Sequence, residues 1–365
     1  MGRVGRRPQT GAGASSPART STDVADPTVG VIGVGAVGAR AARQLVSTDD
    51  LGTVVLRDVD VERVEAVARS LGSSARVETP PFAEPPRVDV AVLATPAGTH
   101  ADLARDLLGA GSSVVSVADS VEDVRALLDL DAEARERGLS VVVGAGFSPG
   151  LTCVLARHAA AAFTAVDEIH VAVTGTGGPE CARQHHRALA GWSVDWRDGG
   201  WVTRRGGSGR ELCFFPDPVG GQDCYRAARP EALLLAPVFP GVARVTARMA
   251  ATRRDRLTAR LPMLRKPHPE GGPGGVRVEV RGRQGTARHV RVLGAMDRPA
   301  VGAGAVAAVA AAHVLAGSVQ RPGAGSLAEL VEPVPFLTEL ARRGVKAAVF
   351  EGHDTDPSGF VRPAG

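Results

Sequence analysis

Three glycines spaced Gly33-x-Gly35-x-x-Gly38, with an aspartate twenty positions further on at Asp58, imply a definite chemistry, the capture of a dinucleotide. The stretch TVGVIGVGAVG, residues 28–38, is an apolar strand running into the glycines. VGARAARQLV continues it with Val37, Ala41, Leu45 and Val46 on one helical face, which is the context the motif needs. Gly33 permits the tight turn, Gly35 lets the backbone approach a pyrophosphate, and Gly38 lets helix and strand pack closely. Ala36 and Val37 open the helix, whose free N–H groups and positive dipole end meet the phosphates. Asp58 ends a second strand, TVVLRD, where a carboxylate accepts hydrogen bonds from ribose hydroxyls. Arg57 beside it is a guanidinium that would meet a 2′-phosphate, so the implied cofactor is NAD or NADP, with NAD favoured. Asp60, just before Val61, Val64 and Val67, is the expected cap of the next helix.

The residues that could act on a substrate lie further along. Ala94, Thr95 and Pro96 end one strand and Asp119 follows another, so both loops should reach the cofactor crevice. Asp119 and His100 are candidate proton carriers, with His170, His185 and His186 behind them, although Asp119 could equally cap the helix that follows it. Arg183, Arg187 and Arg288 are candidate carboxylate clamps. In VVVGAGFSPGLTCVLARH, residues 141–158, a β-branched run breaks on glycines and resumes with helical spacing. Gly144 and Gly146 would allow close approach of a cofactor ring, Phe147 and Ser148 would face the substrate, and Ser148 with Pro149 would start the helix. Cys181 with His185 and His186 suggests a metal cluster, but no fourth ligand has regular spacing, and no metal is expected.

These residues need elements to hold them. VDVAVLATP, SSVVSVAD and LSVVVGAG alternate with THADLARDLLGAG and SVEDVRALLDLDAEARERG, and strands alternating with helices mean a parallel sheet. From about 164 to 295 the pattern turns to separated strands, among them DEIHVAVTG, GWVTRRG, RELCFFP and GVARVTARMA. The expected fold class is α/β, a Rossmann doubly wound parallel sheet with a second, mostly antiparallel α+β domain. Residues 28–150 would form the nucleotide-binding domain, completed by helices in 296–346, and 151–295 a domain for the substrate and for dimerisation.

The remainder bounds the function. Residues 1–27 are rich in Gly, Ser, Thr and Pro, carry Arg3, Arg6, Arg7 and Arg19, and lack an apolar periodicity, as a disordered leader does; 347–365 is expected to be a flexible tail. The net charge is +4 and aromatics are 4% of the 365 residues, which disfavours a nucleic-acid partner. AVGAGAVAAVAAAHVLAG, 300–317, is Ala- and Gly-built around His313 and fits a buried helix better than a membrane span. Cys153, Cys181, Cys213 and Cys224 form no C-x-x-C pair, so a reducing cytoplasm is the expected compartment.

The strand ending at Asp119, the helix VEDVRALLDLDAEARERG, the turn in VVVGAGFSPGLTCVLARH and the closing PFLTELARRGV together resemble the saccharopine dehydrogenase-like oxidoreductases, over residues 28–346. The resemblance implies a nicotinamide-dependent enzyme acting at a carbon–nitrogen bond of an amino acid or imine adduct, and the strand-rich second domain is expected to supply the surface of a homodimer. The saccharopine enzymes themselves carry an acidic residue shortly before the P-G turn, where this chain has Ser148 and no carboxylate nearby. ATPAGTHADLARDLLGAG is also similar to the Gfo/Idh/MocA-type sugar dehydrogenases, which place a lysine in an E-K-P element where this chain reads SVADSVED. A dinucleotide-binding sensor or scaffold without catalysis is the remaining alternative.

Overall fold

The computed structural model describes residues 26–350 apart from 49, 50, 264, 265 and 346, so most of the leader and residues 351–365 lie outside the described residues. The first sheet takes β1 (Thr28–Ile32), β2 (Thr53–Arg57), β3 (Ala75–Glu78), β4 (Val90–Leu93), β5 (Ser113–Ser116) and β6 (Ser140–Val143). The centres of β1, β2, β4, β5 and β6 are buried, as strands covered on both faces must be, whereas β3 at the edge is only partly buried. Helices α1 (Ala36–Val46), α2 (Val61–Leu71), α3 (His100–Gly109), α4 (Val121–Leu128) and α5 (Asp131–Glu136) provide the crossovers. Asp60 caps α2 through Arg63 N, as its position predicts.

After the glycine loop, α6 (Leu151–Ala160) leads to β7 (Ala165–Thr174) and α7 (Pro179–Ala190). Strands β8 (Trp192–Arg197), β9 (Gly200–Arg205), β10 (Glu211–Phe215) and β11 (Gly220–Arg226) follow, then α8 (Glu231–Leu235) and β12 (Arg244–Ala250). The short α9 (Arg253–Thr258) precedes the long hairpin β13 (Gly274–Gln284) and β14 (Ala287–Asp297). The second sheet runs β10-β11-β12-β7-β13-β14, with β8 and β9 branching from β12. It is antiparallel except where β12 lies parallel to β7.

The chain then returns to the first domain through α10 (Pro299–Leu315), β15 (Gly323–Ser326), α11 (Leu327–Leu330) and α12 (Pro333–Arg342), and ends its described part in β16 (Ala347–Phe350). Helix α10 lies against α1 through small residues; a Cβ on Gly304 would stand 2.7 Å from Arg40 Cβ. Close backbone approach explains the Ala/Gly composition of this segment. Among the described residues no helix is long and apolar enough to cross a membrane.

Two expectations are corrected here. The returning segment contributes a strand as well as helices: β15 adds a seventh strand in the order β15-β6-β5-β4-β1-β2-β3, all parallel. Residues 347–350 are not a tail but β16, paired antiparallel with β14.

Candidate active site

A cleft of about 1210 Å³ opens between the C-terminal edge of the first sheet and the start of α7. Its far end is made largely of backbone. Gly33 has φ +88°, and a Cβ there would meet the Ala94 carbonyl at 2.5 Å. Gly35 is the opposite case, since a Cβ would meet nothing within 4 Å, so the turn presents open backbone to the cleft. Gly38 lies behind them, its hydrogen directed at the Gly33 carbonyl, where a Cβ would stand 1.9 Å away. Ala36 and Val37 line the cleft beside Gly33 and Gly35, as do Ala94, Thr95 and Pro96 across from them. This is the cradle a pyrophosphate needs at a helix N-terminus.

Asp58 is buried in the wall of this end. Its carboxylate accepts from Val34 N at 2.6 Å and Asp60 N at 2.9 Å, which aims it while leaving lone pairs on both oxygens for a ribose. Arg57 is turned away from it. Its guanidinium bonds the Glu78 carboxylate and the Glu84 carbonyl and lies over Phe82, 4.9 Å from the ring centre. The loop after β4 is held by Asp123, which accepts from Gly98 N at 2.8 Å and from Ser120 Oγ at 2.7 Å.

At the near end, side chains from separate segments converge. Asp119, just past β5, lines the cleft with its side chain 21% exposed. Helical spacing puts Cys181 and His185 on one face of α7, and their donor atoms lie with an Asp119 oxygen within 4.8 Å of one another. Burial, with Glu231 adding and Arg229 opposing, pushes the Asp119 carboxyl up to about 6. Burial and then Arg229 push His185 down to about 3, so its ring is neutral near pH 7. Burial and the Asp119 charge push the Cys181 thiol up to about 12. The three could form a metal-binding group by distance, but Arg229 Nη1 already donates to the His185 Nε2 lone pair at 3.2 Å and stands 3.8 Å from Asp119 Oδ2. A guanidinium on those donors opposes a cation.

The structure sorts the remaining candidates. His100 borders the cleft but is only 2% exposed. Its Nε2 donates to the Thr95 carbonyl at 3.0 Å and its Nδ1 meets Ser116 Oγ at 2.9 Å. With both nitrogens engaged and its pKa held below the ordinary value by burial, it ties β5 to the loop after β4. Asp119 does not cap α4; Ser120 does, through Asp123 N. Gly144 does not line the cleft, because its hydrogen faces Pro149 Cγ and Leu234 Cδ1, whereas Gly146, Phe147 and Ser148 do line it. Ser148 is not the cap of α6, which starts two residues later from Gly150, whose φ of +130° turns the chain. Of the three arginines, Arg183 lines the cleft, paired with Glu180; Arg187 bonds Gln184 on α7, and Arg288 sits in the far hairpin.

Two residues carry no motif and are central nonetheless. Ser148 Oγ donates to Glu231 Oε1 at 2.7 Å, so a carboxylate distant in sequence does reach the P-G turn. Glu231 is fully buried and pairs with Arg229 at 2.6 Å. The visible trace in sequence is a charged Arg229-Pro230-Glu231 at the head of the apolar run ALLLAPV.

Residues 28–147 match the family model for Gfo/Idh/MocA, described as an oxidoreductase family with an NAD-binding Rossmann fold. Over nearly the whole chain the fold is similar to that of saccharopine dehydrogenase (L-Glu forming) from Saccharomyces cerevisiae, at 15% identity and a TM-score of 0.63, covering 89% of this chain and 100% of that one. It is also similar to amine dehydrogenase from Mycobacterium smegmatis, at 14% identity and a TM-score of 0.50, covering 85% of this chain and 97% of that one. The match to the oxidoreductase family thus spans the NAD-binding Rossmann part and ends at Phe147 in the glycine loop, while the structural likenesses extend the fold across the second domain.

Proposed function

We propose that the protein is an NAD-dependent oxidoreductase that moves hydride at a carbon–nitrogen bond of an amino acid or its imine adduct. The observation that carries this is Asp119, a partly exposed carboxyl with a pKa raised to about 6, on the nucleotide-binding edge and facing α7 across the cleft. A group titrating there gives and takes a proton near neutral pH, which is what an amine–imine interconversion asks of the protein. Bound nicotinamide would supply or accept the hydride itself. Arg183, the guanidinium of α7 that lines the cleft, would receive the substrate carboxylate after parting from Glu180. Phe147 would exclude water from the reacting carbon, and Cys181, with its thiol pushed up to about 12, stays protonated and inert.

Asp58 supports NAD over NADP, because a 2′-phosphate would meet an aimed carboxylate while Arg57 is engaged elsewhere. A second reading, oxidation of a sugar hydroxyl, is favoured by the family match of residues 28–147. It must then use Asp119 where the sugar enzymes' pattern has a lysine. Calorimetric titration with NADH and NADPH, followed by a turnover screen of amino acids, amines, keto acids with ammonia and polyols, tests both. Tighter NADH binding with turnover of amino compounds is expected. Turnover of polyols alone would move the substrate to the second reading, and binding of neither cofactor would overturn both.

A further inference from the structure

Among the described residues Arg229 is the most deeply buried cation, 1% exposed, yet it does not line the cleft. It stands between β11 and α8 and reaches four segments at once. One nitrogen, Nη2, donates to the Ser148 carbonyl at 2.5 Å and to Glu231 Oε1 at 2.6 Å. The other, Nη1, donates to His185 Nε2 at 3.2 Å and stands 3.8 Å from Asp119 Oδ2. Arginine has no acceptor, so the ring nitrogen it meets must be bare, and His185 is held in the Nδ1–H form.

We infer that Arg229 is a positioning residue for the proposed chemistry: it locks His185 in one neutral tautomer against Asp119 and ties both to the glycine loop at Ser148, with Glu231 balancing its charge. Resting on the proposed oxidoreductase reading, it explains why an ion pair sits where an apolar pair of equal volume would often be as stable or more so. Among the described residues, Arg229 Nε and Glu231 Oε2 have no hydrogen-bond partner. The groups facing Asp119 are Arg229 and Glu231, His185 and Cys181 of α7, and Asp123 of α4. Arg229 is the cation among them, and lysine could not replace it, because one ammonium cannot span His185 and Ser148 with the geometry of a planar fork.

The test needs no substrate. Histidine-15N and aspartate-13Cγ labelled protein is titrated by NMR, the two resonances being assigned by their loss in His185→Gln and Asp119→Asn. In the parent, His185 is expected to stay in the neutral Nδ1–H tautomer from about pH 5 to 8. In Arg229→Met/Glu231→Gln, which removes both charges together, His185 should exchange tautomers or begin to take up a proton in that range. In Arg229→Lys, which keeps the charge balance, the Nδ1–H preference should also be lost. Glu231→Gln alone should move the Asp119 midpoint to lower pH, by about one pH unit if the like charge acts at the usual strength. Parental His185 signals in a folded double variant, or in the lysine variant if the double variant does not fold, would overturn the inference. Failure of the parent to bind NADH would instead sink the oxidoreductase reading and leave these titrations standing.

Discussion

At the end of the cleft lined by Gly33, Gly35 and Asp58, backbone does most of the positioning; at the end lined by Asp119, Cys181 and His185, side chains from distant segments do. The first end is contiguous in sequence, since a strand, a turn and a helix N-terminus build a cradle from N–H groups that any residue supplies, provided glycine stands where a Cβ cannot. The second is assembled by packing, with residues 119, 148, 181, 185, 229 and 231 meeting through burial and charge. Substitution should therefore damage the ends differently. At the near end it should remove chemistry and leave the fold, and at the far end it should remove the fold or the cofactor.

The largest effect is expected at Asp119. Asp119→Asn keeps the shape and deletes the titrating proton, so turnover (kcat/KM) should fall by about 10²- to 10⁴-fold. NADH affinity should stay within a factor of about two, because none of the contacts at Asp58 or the glycines is touched. Steady-state kinetics with calorimetry separates these, and equal losses in both would erase the distinction between the two ends. Gly38→Ala is the reciprocal change. Its Cβ would lie 1.9 Å from the Gly33 carbonyl, a backbone atom that cannot swing away. It should cost roughly 3 kcal/mol, at the upper range for overpacking, and appear as a lowered unfolding temperature before any kinetic effect. A variant that folds normally and loses only turnover would contradict the structural role given to this glycine.

The same contrast governs what could be read from sequence. The first domain was legible because its signals are local: β-branched runs of strand length, helices with a clear apolar face, and glycines at fixed spacing. β15 escaped notice because GAGS has no β-branched residue, and Gly323, at φ +107°, takes a conformation that favours glycine. A Cβ on Gly323 would meet Asp131 Oδ1 at 2.4 Å, and one on Gly325 would meet Glu329 Oε2 at 2.6 Å. α7 was hidden among strands because the apolar side of PECARQHHRALA is built from alanines and a cysteine with Leu189 as its one large aliphatic residue, although Pro179 at its first position marks the start. With that helix unseen, Cys181 and His185 could not be placed on one face. Glu231 was further still from view, since nothing local connects it to Ser148, 83 positions away.

Asp58→Ala gives a smaller, sharper test of the cofactor end. Losing charge-assisted hydrogen bonds of about 1.5–3 kcal/mol should weaken NADH binding roughly ten- to hundredfold. NADPH should weaken less, because the carboxylate that opposes its 2′-phosphate is also gone. Equal weakening of both would place Asp58 in the architecture of the turn, through Val34 N and Asp60 N, and not at the ribose.

The smallest expected effect bears on stability at the near end. Asp119 binds its proton more tightly in the folded chain, at about 6, than at its ordinary value of 3.8. Between those values the native state holds more protons than the unfolded one, so stability falls as the pH rises. The contribution is fully present below 3.8 and is lost as the pH passes through about 6. Asparagine does not titrate, so Asp119→Asn should gain on the parent by roughly 1–3 kcal/mol between about pH 4 and 7.5, measured by urea unfolding at each pH. A gain independent of pH would mean that the carboxylate is already accommodated by Arg229. A gain that grows with pH would show that the group most suited to carry the proton is also one the fold would be more stable without, as expected where charge is held for chemistry.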